Sequence, residues 1–92
     1  MAERKATVAS RVGLHARPAS IFAEAAAAQP VAVTIAMEGD PADEAMDASS
    51  MLSLMSLGAS NGDVVVLRAE GDGADDALDA LVKILETDLD AQ

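Results

Sequence analysis

The hydrophobic period of this chain switches repeatedly between two residues and about 3.6, and that switching sharply restricts the folds open to it. Val31, Val33, Ile35 and Met37 share one face of an extended segment, whereas Ala19, Phe22, Ala23 and Ala26 recur at helical spacing until Pro30 stops the pattern. The alternation of Arg4 to Ser10, with Ala6 and Val8 on one side and Lys5, Thr7 and Ala9 on the other, predicts a first strand. A helix is expected from Ala16 through Ala28, and a second strand over Val31 to Met37. Glu38-Gly39-Asp40-Pro41 reads as a turn, and Ala42 to Asp47 as an acidic edge strand completing a hairpin. Ser49 and Ser50 can cap a short helix reaching Leu57, with Gly58 just beyond its end. Asn61-Gly62-Asp63 signals a turn into Val64 to Ala69, which is apolar enough for a central strand. After Glu70-Gly71-Asp72-Gly73, the residues Ala74, Leu78, Leu81, Val82, Leu85 and Leu89 mark a final amphipathic helix. The order is strand, helix, two strands, short helix, strand, helix. It predicts an α+β fold in which helices cover one face of an antiparallel sheet.

The 92 residues fit a single domain spanning 1–92, and with 51% hydrophobic residues a folded monomer needs no staples. Cysteine is absent, so neither disulfides nor thiol chemistry contribute, which is compatible with the cytosol. Met1-Ala2-Glu3-Arg4-Lys5 lacks an apolar signal core, and no run approaches the roughly 20 apolar residues of a membrane span. A cytoplasmic protein without membrane insertion is the expectation. The formal net charge of −10 opposes general nucleic-acid binding, which needs Lys and Arg to neutralise phosphates. The charge is uneven: Arg4, Lys5, Arg11 and Arg17 fall in the first segment, and beyond Met37 only Arg68 and Lys83 oppose many acids.

Gly13-Leu14-His15-Ala16-Arg17-Pro18-Ala19 places the one histidine of the chain beside an arginine at a predicted helix start. Gly13 lets the backbone turn, and Pro18 is tolerated in a first helical turn. An anion on His15 would meet free backbone N–H groups, the positive end of the helix dipole and the Arg17 guanidinium. An imidazole of ordinary pKa, about 6.5, is mostly neutral at pH 7 and nucleophilic without a separate base, so it can accept a phosphoryl group and pass it on. Such transfer demands mainly positioning and charge stabilisation. A metal site is disfavoured, because one histidine and no cysteine leave only carboxylates as further ligands. Ser-His-Asp hydrolysis lacks a nucleophile-elbow pattern. No cofactor is implied.

In the short helix, Met51, Leu52, Leu54, Met55 and Leu57 occupy so much of the circumference that one buried stripe cannot hold them all. Some of them should face outward.

With these motifs in order, the chain resembles the HPr family, the histidine-containing phosphocarriers of the bacterial phosphoenolpyruvate-dependent sugar phosphotransferase system. The resemblance rests on Gly13 to Ala19, on Ser49-Ser50-Met51-Leu52-Ser53-Leu54-Met55-Ser56-Leu57-Gly58, and on Asn61-Gly62-Asp63 with the following strand. It implies a βαββαβα two-layer open-faced sandwich with strand order first, fourth, second, third and three helices on one face. It also implies a stoichiometric phosphohistidine carrier, not an enzyme, with His15 accepting a phosphoryl group from enzyme I and donating it to sugar-specific enzyme IIA domains. By the same resemblance Arg17 steadies the phosphate, the backbone N–H groups of Ala16 and Arg17 solvate its oxygens, and the phosphoryl group sits on Nδ1. Ser20, Ile21, Met51, Leu52 and Met55 would form the partner surface, with Leu54 and Leu57 turned into the core. Methionines suit a surface meeting differently shaped partners.

Ser50 aligns with a serine that a dedicated HPr kinase phosphorylates in many Gram-positive members, a regulatory role that would also engage transcriptional regulators. Ser50 is equally a good N-cap in its own right. The family's frequent basic residues are missing at Glu24, Ala27 and Ser53, which shifts recognition toward Arg17 and apolar contact. The loop from Glu38 to Ala45 is extended and carries no functional reading. Two other readings fit the same sequence: a specialised carrier serving a nitrogen-regulatory or dihydroxyacetone kinase branch, and a noncatalytic α+β regulatory binding module in which His15 is structural.

Overall fold

The computed structural model describes residues 2–9, 13 and 16–87. Among them the chain forms β1 (Ala2–Thr7), α1 (Ala16–Ala27), β2 (Val33–Met37), β3 (Met46–Asp47), α2 (Met51–Leu57), β4 (Val64–Ala69) and α3 (Ala74–Leu85). The strands build one four-stranded antiparallel sheet in the order β1-β4-β2-β3. The three helices lie over one face of this open-faced sandwich.

The strand register explains which side chains enter the core. Ala6 pairs with Val65, Leu67 with Ile35, and Ala69 with Val33, and all six are buried toward the helical layer. Phe22 of α1, Leu54 of α2, and Leu78 and Leu81 of α3 close over them with no exposed surface. Val64 to Ala69 is central, as the apolar run Val64 to Leu67 predicts, because β1 and β2 flank β4 on its two sides.

Arg4 sits on the helix-facing side of β1, in register with Leu67. Its guanidinium crosses to α3, donating to Asp79 Oδ1 at 3.0 Å and to Asp75 Oδ1 at 3.1 Å. Asp75 and Asp79 are one helical turn apart, so one planar fork engages both. The Asp79 and then the Asp75 carboxylates hold Arg4 above its ordinary pKa, against a smaller opposing effect of burial.

The open face is less polar than simple alternation predicts. Val66 and Ala36, paired across β4 and β2, are 4% and 1% exposed although they point away from the helices. Lys5 is the register partner of Val66 on the other side, and its Nζ reaches Glu38 Oε2 at 3.2 Å. The ion pair thus crosses the open face of β4 diagonally. Beside it Arg68 donates from Nε to Glu3 Oε1 at 3.0 Å.

Several boundaries differ from the sequence expectation, each for a local reason. The first strand leaves the ladder after Thr7: Val8 exchanges its hydrogen bonds with Asp63 and Gly62, and Ala9 N–H turns to the Leu85 carbonyl. Ser10, the expected end, lies outside the described residues. The second strand starts at Val33 because the chain is still bending through Val31 after Pro30. Ala42 to Asp47 is mostly not a strand. Ala42–Glu44 forms a 3₁₀ turn, with Glu44 N–H donating to the Pro41 carbonyl, and only Met46 and Asp47 pair with β2. Pro41 has its φ preset for such a turn, and this edge lets the sequence take it. The last helix ends at Leu85, where the Thr87 hydroxyl donates to the Lys83 carbonyl, and Leu89 lies outside the described residues.

Candidate functional site

His15 and Leu14 lie outside the described residues. The chain ahead of them is anchored to the connection between α2 and β4. Upstream, Asn61 Nδ2 donates to the Ala9 carbonyl at 3.0 Å, and Gly62 N–H donates to the Val8 carbonyl at 2.8 Å. Immediately before Leu14, Gly13 is buried at φ +71°, and a Cβ there would collide with the Ala59 carbonyl oxygen and lie 2.9 Å from Ser60 Cα. Sequence reasoning gave Gly13 a turn but not this close approach. The 59–63 connection is itself braced, since Ser60 N–H donates to Asp63 Oδ2 at 2.9 Å.

Helix α1 begins at Ala16, directly after His15. Its Ala16 and Arg17 N–H groups belong to the first turn and have no acceptor within the helix. Pro18 follows, fully buried, and Arg17 is exposed. The first turn of α1 carries no acidic side chain. No carboxylate within that turn therefore opposes an incoming anion at the positive end of the dipole.

Helix α2 starts and stops as its sequence predicts. Ser50 is the N-cap, its hydroxyl oxygen accepting the Ser53 N–H at 3.2 Å, and Gly58 closes the helix at φ +69°. Ahead of it Asp47 Oδ1 accepts both the Ser49 hydroxyl, at 2.6 Å, and the Ser49 N–H, at 2.9 Å. The hydroxyl and then the N–H hold the Asp47 carboxyl below the usual carboxylate range, against a smaller effect of burial. Leu54 is fully buried, while Met51, Leu52 and Met55 are 39%, 72% and 42% exposed. Leu57, expected in the core, is only half-buried and packs against its margin. Ser20 and Ile21 on α1 are also half-buried, and Ser20 shares a groove with Met51. A seven-residue helix of this composition has more apolar side chains than one sheet-facing stripe accommodates, so three of its large ones face water.

A protein-family model described as the PTS HPr component phosphorylation site matches residues 2–87. The chain belongs to the HPr family. It is 46% identical over 91 residues to the phosphocarrier protein HPr of Streptomyces coelicolor, a match covering 98% of this chain and 94% of that protein. HPr-C-His from Thermoanaerobacter tengcongensis has the same fold, with a TM-score of 0.80 at 36% identity over 94% of this chain and 92% of that one. The HPr of Bacillus anthracis superposes with a TM-score of 0.82 at 28% identity, covering 91% of this chain and 95% of its own. As a member of the HPr family, the chain is a phosphocarrier of the phosphotransferase system. It relays a phosphoryl group from enzyme I to enzyme IIA in sugar uptake and is a stoichiometric carrier, not an enzyme.

Among the described residues no group of three or more His, Cys, Asp or Glu side chains could hold a metal ion, and no helix is long and apolar enough to cross a membrane.

Proposed function

We propose that His15 is the residue that carries the phosphoryl group. The observation that supports this reading most directly is the start of α1 at Ala16 with Arg17 exposed beside it and no carboxylate in the first turn. The Nδ1 lone pair of His15 attacks the phosphorus of the phosphohistidine on enzyme I. A new N–P bond forms as the old one breaks, and the departing imidazole keeps the electron pair. The Ala16 and Arg17 N–H groups and the Arg17 guanidinium take up the charge on the phosphoryl oxygens. Donation to enzyme IIA reverses these roles. Loading the chain with phosphoenolpyruvate and enzyme I, then locating the modified residue, tests the assignment.

Ser20, Ile21, Met51, Leu52 and Met55 are the surface on which enzyme I and the IIA domains dock. Support comes from the exposure of the three large apolar residues and from the groove that joins Ser20 to Met51. Aqueous exposure of two methionines and a leucine on one short helix is unfavourable unless a partner covers them part of the time. The carrier works as a cytoplasmic monomer built from one domain over 1–92.

Ser50 is a second modification target, for an HPr kinase and through it for transcriptional regulators. A phosphoryl group at this N-cap would face the N-terminal dipole of α2 while displacing the hydrogen bond from Ser53. Incubation with HPr kinase and ATP should label Ser50, and an unmodified chain would remove this role.

A further inference from the structure

Ala9 is held by both of its backbone groups where the chain leaves β1. Its N–H donates to the Leu85 carbonyl at the end of α3 at 2.9 Å, and its carbonyl accepts a bond of 3.0 Å from Asn61 Nδ2 on the α2–β4 connection. Gly62 N–H donates to the neighbouring Val8 carbonyl at 2.8 Å. Further along, Gly13 packs against Ala59 and Ser60 of the same connection, so the stretch 9–13 meets residues 59–62 at both of its ends. His15 follows, between Gly13 and the first residue of α1. The contact at Gly13 and the bond from Gly62 are made by backbone. Asn61 contributes a side chain, which a substitution can remove by itself.

The turn that presents Asn61 closes without that amide. It spans residues 60–63, its closing bond runs from Asp63 N–H to the Ser60 carbonyl at 2.9 Å, and its left-handed step falls on Gly62 at φ +90°. Asp63 Oδ2 braces it further by accepting the Ser60 N–H at 2.9 Å. Asn61 is exposed, so its side chain carries no core packing either. Its donor is directed 52 positions back along the chain, to the segment that leads to His15.

We propose that Asn61 is a positioning residue for phosphoryl transfer, its amide fixing the Ala9 carbonyl and with it the course of the chain into His15. This rests on the reading of His15 as the phosphoryl carrier. Transfer between two imidazoles depends on where the attacking nitrogen stands, and a misplacement of about 1 Å can cost about a hundredfold in rate. A single neutral hydrogen bond constrains less than that, so removing Asn61 should slacken the site without abolishing transfer. Asn61 acts through Ala9 and not on the partner. Its effect therefore belongs to the rate at saturation and not to the affinity of docking.

The test is single-turnover phosphoryl transfer from phosphorylated enzyme I to the full chain at increasing carrier concentration, for wild type, Asn61→Ala and Asn61→Gln, with urea unfolding of each. Asn61→Ala should lower the saturating rate about fivefold, while the half-saturating concentration stays within about twofold of wild type and the urea midpoint moves little. Asn61→Gln keeps the donor on an arm one methylene longer and should recover most of the rate. A merely structural role would show instead as a rate loss that tracks the urea midpoint, and a docking role as a raised half-saturating concentration; either result would overturn the proposal. So would a saturating rate of Asn61→Ala within about twofold of wild type, or an equal loss in Asn61→Gln. His15→Ala, run alongside, separates the two levels. If it takes up no label while Asn61→Ala transfers at the wild-type rate, the positioning role alone fails; if His15→Ala is labelled, the reading of His15 fails with it.

Discussion

Gly13 lies so close to Ala59 that a β-carbon on Gly13 would collide with the Ala59 carbonyl oxygen. The residue is also at φ +71°, so a side chain there meets strain from its own backbone and from a neighbouring one. Gly13→Ala should therefore cost about 2 kcal/mol or more, since the obstructing atoms are backbone and cannot rotate away. Urea unfolding measures the loss. Phosphoryl acceptance by the variant should fall as well, even where it is still folded, because the shift falls two residues before His15. A variant of wild-type stability would show that the contact is not held in solution.

The same helix supplies two opposite outcomes. Leu54 is fully buried and Met51 is 39% exposed, although both belong to α2. Leu54→Ala should lose about 2–5 kcal/mol of stability. Met51→Glu should change stability by less than about 0.5 kcal/mol and yet weaken transfer from enzyme I. Denaturation midpoints paired with transfer kinetics separate packing from docking in one experiment, and unchanged transfer in Met51→Glu would remove that residue from the partner surface.

Ser50→Ala removes the hydroxyl that accepts the Ser53 N–H at 3.2 Å and leaves a helix of only two turns without its side-chain cap. A loss of about 1 kcal/mol is expected, read as a lower urea midpoint with an unchanged slope. Ser50→Asp retains an acceptor and should recover part of it.

The folded-state pKa of Asp47 is depressed below its unfolded value by the Ser49 hydroxyl and N–H. Its contribution to stability is accordingly present above the unfolded carboxylate value, near 3.9, and is lost as pH falls through the lower folded value. Asp47→Ala should therefore narrow the gap between stability at pH 6 and at pH 2. Urea midpoints across that range check the sign, and a variant that widens the gap would contradict it. Because the carboxylate is exposed, the effect should be small and should shrink with added salt.

What the sequence disclosed follows from how local each cause is. The caps at Ser50 and Gly58 and the central strand at Val64–Ala69 were legible because a few adjacent residues determine them. The 3₁₀ turn at Ala42–Glu44 was not, because an acidic stretch after Pro41 satisfies strand and turn patterns about equally until β2 shows how little of it can pair. The Arg4 clamp depends on Asp75 and Asp79, 71 and 75 positions away, and only the fold brings them together. The Lys5–Glu38 ion pair on the open face likewise joins residues that only the fold brings together. For the candidate site, the motif from Gly13 to Ala19 announced the chemistry. The bracing of the chain ahead of His15 by Asn61, Ala59 and Ser60, and the groove that joins Ser20 to Met51, required neighbours in space.

Phosphoryl relay by this chain turns most directly on which residue is phosphorylated. The wild-type chain should be incubated with phosphoenolpyruvate and cognate enzyme I, then analysed by intact mass, peptide mapping and stability of the label in acid and alkali. One phosphoryl group on His15, lost in acid and kept in alkali as a phosphoramidate should be, is the predicted result, with no uptake by His15→Ala. Undiminished labelling of His15→Ala, or a label on another residue, would contradict it.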